Sequence, residues 1–144
     1  MKYKIDILTL YNYILILLYI NKFDMGRYAF FSTGIEYKFR FGDQCSSDMT
    51  KFKGKSYNGS DEDSMIHRWI KNEDEPLIKE ILKIFQINLG LDDIDITQFS
   101  KDVNGTYQLR YHIEKLTNNY TFILGYMIYH QLQYVDNLSV DFEI

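Results

Sequence analysis

Ile35-Glu36-Tyr37-Lys38-Phe39-Arg40-Phe41 alternates without a fault, apolar at each odd position and charged at each even one. Successive side chains of a strand point to opposite faces, so this period of two puts Ile35, Tyr37, Phe39 and Phe41 on a buried face and Glu36, Lys38 and Arg40 on a wet one. Burial on one face is the habit of antiparallel sheets, whereas parallel strands read as continuous apolar runs. Upstream, residues 27–31 are aromatic and β-prone, and Ser32-Thr33-Gly34 supplies turn residues, so the two segments predict a hairpin. At the far end Leu138, Val140, Phe142 and Ile144 alternate with Ser139, Asp141 and Glu143, which predicts a closing strand.

Between these strands the period changes. Leu77, Ile78, Ile81, Leu82, Phe85 and Leu89 recur at three- and four-residue spacing, with Lys79, Glu80, Lys83 and Gln86 outside the stripe. Asp74 suits the N-cap, Pro76 the first turn and Gly90 the left-handed position after the last turn, so a helix is expected over 74–89, packed on the sheet. Residues 94–99 read as a short strand and Asn104-Gly105 as a turn. Residues 107–116 lean towards a helix capped by Thr106, and a further helix is expected over 121–134. The set predicts an α+β fold: an antiparallel sheet with two or three helices packed on one face.

The chain has 144 residues with 46% hydrophobic side chains, enough for one core and too apolar for disorder. The net charge of −4 without a basic tract gives no attraction for phosphate backbones, so nucleic acid is not the expected partner. Ile, Lys, Asn, Tyr and Phe dominate while Ala and Pro occur once each, as in the translation of an AT-rich genome; the aromatic residues therefore weigh as core before they weigh as a ligand surface. Trp69, beside Ile66 and Ile70, is expected as a core anchor. Residues 1–24 contain the apolar run Ile7 to Ile20, interrupted by Asn12, and three readings stay open: a membrane anchor, a packed helix, and an extension preceding a domain over 25–144. The third is favoured because composition changes at Met25. Cytoplasmic residence follows from it, membrane attachment from the first.

Residues 42–60 are polar and rich in Gly and Ser, and read as a long loop. Cys45 with Asp43 and Asp48 is the weak candidate for nucleophilic chemistry, opposed by the absence of a nearby general base in sequence. Gly54-Lys55-Ser56 resembles the end of a phosphate loop, but Met49 stands where its first glycine belongs. Asp93, Asp95 and Thr97 imitate a calcium loop whose sixth and twelfth positions, Gln98 and Asn104, have the wrong chemistry. His67, His112 and His130 lack zinc-ligand spacing, and no metal or cofactor is expected. The candidate binding residues are Glu36, Lys38 and Arg40 on the polar strand face, with Gln44 at the start of the loop.

Met25-Gly26-Arg27-Tyr28, then Gly34-Ile35-Glu36-Tyr37-Lys38-Phe39 and Phe41-Gly42-Asp43-Gln44, together with Leu124-Gly125-Tyr126 and the strand from Ser139, resemble a group of small uncharacterised proteins of Mimivirus-like giant DNA viruses. The resemblance covers about half of the chain. It implies Met25 as the natural start and no activity. The expected function is a non-catalytic interaction module with a protein partner; the alternatives are a small hydrolase using the loop after Phe41 and a membrane-anchored accessory protein.

Overall fold

The computed structural model describes residues 9–12, 14, 28–39, 52, 55–57 and 65–143. Five strands form one sheet: β1 (Tyr28–Phe31), β2 (Glu36–Lys38), β3 (Lys55–Tyr57), β4 (Met65–Lys71) and β5 (Asn137–Glu143). Their order is β2-β1-β5-β4-β3, and every neighbouring pair is antiparallel. The last strand of the chain is thus the middle strand of the sheet, paired with both β1 and β4.

The helices are α1 (Glu75–Leu89), α2 (Val103–Glu114) and α3 (Tyr120–Gln131). Together with the sheet they make the expected α+β fold. α3 is the hub: its residues from Thr121 to Ile128 are all buried, as in a helix apolar all round. Both α1 and α2 pack on it. Asn119 caps it, the side chain accepting from Phe122 N at 3.0 Å. Two hydrogen bonds orient it over the hairpin. Near its start Tyr37 donates to the Tyr120 carbonyl at 3.5 Å, and at its end Gln131 accepts from the Thr33 hydroxyl at 2.6 Å. At 1.5 Å per residue these helix positions are about 16 Å apart.

The alternation of 35–41 holds where it is described: Ile35, Tyr37 and Phe39 are buried while Glu36 and Lys38 are exposed. Phe41 lies outside the described residues. The hairpin is also as expected, with Ala29 opposite Tyr37 and Gly34 at φ +90° in the turn. β5 alternates likewise, Leu138, Val140 and Phe142 joining Ala29, Phe31 and Ile70 in the core. α1 ends at Gly90 with φ +66°.

Several expectations fail for identifiable reasons. Asp74 occupies the N-cap of α1, but its carboxylate accepts from Lys71 N at 2.9 Å and caps no helix amide. Gln86 is buried within the stripe, because Asp93 accepts its amide at 2.6 Å and satisfies it. The stripe packs on α3. Residues 96–98 form a 3₁₀ turn, not a strand, since the Asp95 carboxylate accepts from both Thr97 N and the Thr97 hydroxyl. Asn104-Gly105 opens α2: Asp102, not Thr106, caps the helix by accepting from Gly105 N at 2.8 Å, and a Cβ on Gly105 would collide with the Ser100 carbonyl. The 42–60 segment is not all loop. Phe52 is 1% exposed in the core and Lys55–Tyr57 pairs with β4. In the N-terminal segment residues 9–12 and 14 are helical, and Leu10, Tyr11 and Ile14 are exposed, against the packed-helix reading. Among the described residues no helix is long and apolar enough to cross a membrane.

Candidate functional site: the outer face of the sheet

The strand periods that bury one sheet face leave the other to the remaining side chains. Register places Glu36 opposite Phe30, Phe30 opposite Asp141, and Asp141 opposite His67. Directly opposed residues share a face, so these four form one row across β2, β1, β5 and β4. Tyr28, two residues before Phe30, lies on the same face, and the two rings stack at 5.8 Å with 20° between their planes. Lys38 stands opposite Tyr28, and Trp69 lies two residues from His67, opposite Ser139.

The centre of the row is polar and tightly held. His67 Nδ1 lies 2.5 Å from Asp141 Oδ1, with side-chain exposures of 15% and 35%. A carboxylate fixes the ring orientation of such an imidazole. Alongside it, Glu143 Oε2 accepts from Tyr28 N at 3.2 Å, closing the end of β1 onto β5. Glu36, Asp141 and Glu143 against Lys38, Lys55 and Lys71 leave the register positions of this face balanced in charge.

The sequence-derived candidates separate here. Glu36 and Lys38 are both exposed on this face, on the edge strand β2. Arg40, Gln44, Asp43, Cys45 and Asp48 lie outside the described residues. Trp69 is not a core anchor: it is 36% exposed, because Ile70 takes the inward position of β4 opposite Leu138. Sequence reasoning assigned no role to His67 or Asp141. The signal for Asp141 was present in the polar phase of 138–144. The signal for His67 and Trp69 was the weaker alternation of 65–71, in which Arg68 falls in register with the inward Val140 and breaks the apolar row.

Among the described residues no three His, Cys, Asp or Glu side chains converge as a metal site would require. The other two histidines have separate surroundings: His112 meets the Phe99 ring at 5.8 Å, and His130 is buried with Nδ1 2.7 Å from the Thr106 hydroxyl. The arrangement on the outer face suits recognition: stacked rings and an indole give contact area, and the row of charges gives direction. No protein-family model matches the chain, and no curated protein and no solved structure is significantly similar to it.

Proposed function

We propose that the chain is a non-catalytic interaction module whose outer sheet face, from Glu36 to Trp69, docks a protein partner. The observation that carries this reading is the Glu36-Phe30-Asp141-His67 row flanked by Trp69. Interface energy concentrates in Trp, Tyr and Arg anchors set among groups that exclude water, and this face offers aromatic anchors beside oriented charge. Its interleaved acidic and basic positions favour a partner presenting apolar side chains among complementary charges. The similarity of the Met25-Gly26-Arg27-Tyr28 and Leu124-Gly125-Tyr126 segments to giant-virus proteins supports a role in the cytoplasm of an infected host cell.

The test is quantitative capture from an extract of infected host cells, with wild-type chain and Trp69→Ala as baits. The reading expects a protein retained by the wild type, released by raised salt and lost with Trp69→Ala at unchanged thermal midpoint. Equal recovery by both baits contradicts it.

A further inference from the structure

A cavity of about 400 Å³ opens on the flank of α1, between that helix, the segment that follows it and α3. Lys79, Leu82, Lys83 and Gln86 form its α1 wall, and their spacing of three and four residues puts all four on one stripe of the helix. Leu82 and Gln86 are buried, and the two lysines at the margin are exposed. Residues 93–97 make a second wall, and α3 contributes the buried Tyr126 and the half-buried Tyr129.

Lys79 and Lys83 line this cavity with Asp93 and Asp95, two charges of each sign, yet among the described residues neither lysine pairs with a carboxylate. Both carboxylates are fixed: Asp93 Oδ1 accepts from Gln86 Nε2 at 2.6 Å and Asp95 Oδ1 from Thr97 N at 3.0 Å. Each has a second oxygen to offer. Tyr126 adds an uncharged donor. Its side chain is 7% exposed, and its hydroxyl has no hydrogen-bond partner among the described residues and is not sealed from solvent, as His130 Nε2 is. Burial and the Asp93 charge push the Tyr126 phenol up to about 12, so it keeps its proton at neutral pH. Leu82, Ile94 and Ile96 supply apolar surface beside these groups. Small-molecule sites combine an apolar lining with a few placed polar groups, and opposite charges held apart in one cavity complement a ligand that carries both signs. We propose that this cavity binds a small zwitterion of the amino-acid class, its carboxylate taken by the Lys79 and Lys83 wall, its ammonium by Asp93 and Asp95, and its side chain by the apolar lining.

The test follows the Thr97 amide and the Gln86 side-chain amide of the ¹⁵N-labelled full chain while L-phenylalanine, 3-phenylpropionate or phenethylamine is added to millimolar concentration. The second lacks the ammonium and the third the carboxylate. The expected result is a saturable shift with phenylalanine and roughly tenfold weaker binding of each analogue, the loss of one charge-assisted contact. The Lys79→Ala/Lys83→Ala double variant, at exposed positions, should weaken phenylalanine roughly tenfold and leave phenethylamine unchanged. Asp93→Asn keeps an acceptor for Gln86 and should weaken phenylalanine while leaving 3-phenylpropionate unchanged; the lysine variant keeps the test decisive if Asp93→Asn fails to fold. No saturable shift with phenylalanine overturns the proposal, as does an analogue that binds as tightly as phenylalanine, or unchanged phenylalanine affinity in the lysine variant.

Discussion

The Phe52 ring lies directly on the backbone of Gly125, in space that any side chain at position 125 would occupy: a Cβ there would run into the ring and come within 2.8 Å of Leu82 Cδ2. The ring is 1% exposed and stacks on Phe85 at 6.5 Å. An apolar residue from an otherwise polar stretch is thus part of the packing between α1 and α3.

Gly125→Ala should therefore destabilise by about 1–3 kcal/mol through overpacking, and Phe52→Ala by about 3–5 kcal/mol through the cavity it leaves. Because the two residues touch, the double variant should cost less than the sum of the single ones. Urea unfolding of the four proteins measures this; strict additivity would show that the contact is not made.

α1 offers a cleaner contrast. Leu82 is 2% exposed and Lys79 is on the outer side of the same helix. Leu82→Ala should cost about 2–5 kcal/mol. Lys79→Ala should stay within about 0.5 kcal/mol. Equal thermal midpoints for the two variants would mean that the stripe does not face the core.

Burial holds the His130 imidazole below the ordinary histidine value of 6.5, opposed by the charge of Asp102. The folded chain favours the neutral ring, while the unfolded chain takes up its proton near 6.5. Stability is therefore full above that pH and falls as the pH drops from there towards the lowered folded value, below which this contribution is constant. The Asp95 and Asp102 carboxylates act in a separate, more acid window: hydrogen bonds from Thr97 and from the Gly105 backbone lower their values below 3.8, so what they contribute is lost only below that. Chemical-denaturation midpoints across the acid range, with the His130 resonance followed by NMR, measure both. A midpoint flat between neutral pH and the carboxylate range would contradict the assignment.

Leu10, Tyr11 and Ile14 are exposed at 57%, 58% and 46%. A chain beginning at Met25 should therefore unfold at nearly the same temperature as the full one. A fall of many degrees would show that the first 24 residues carry packing energy.

How far the sequence predicted the fold depended on whether local pattern and tertiary contact agreed. In 35–41 and 138–144 the period of two was unbroken, and in 77–89 the stripe had Pro76 and Gly90 at its ends, so these elements were legible. β3 and β4 were not. Lys55–Tyr57 has no apolar period and exists as a strand by pairing with β4, while Arg68 interrupts the inward row of 65–71. Asn104-Gly105 carried a strong turn signal that the Asp102 cap and the approach to Ser100 override. The polar side of the candidate face was legible at Glu36 and Lys38. The His67–Asp141 pair was not, because it joins residues 74 apart that only the sheet register brings together.

α1 carries a rival apolar surface, since Ile84 and Ile87 are 55% and 69% exposed on its outer side. The direct measurement is the affinity of the captured protein for wild type, Trp69→Ala and the Ile84→Ala/Ile87→Ala double variant. A central anchor is worth at least about 2 kcal/mol, so Trp69→Ala should weaken Kd roughly thirtyfold while the helix variant binds as wild type. Wild-type affinity in Trp69→Ala with a loss confined to the Ile84/Ile87 variant would contradict it and put the partner on α1.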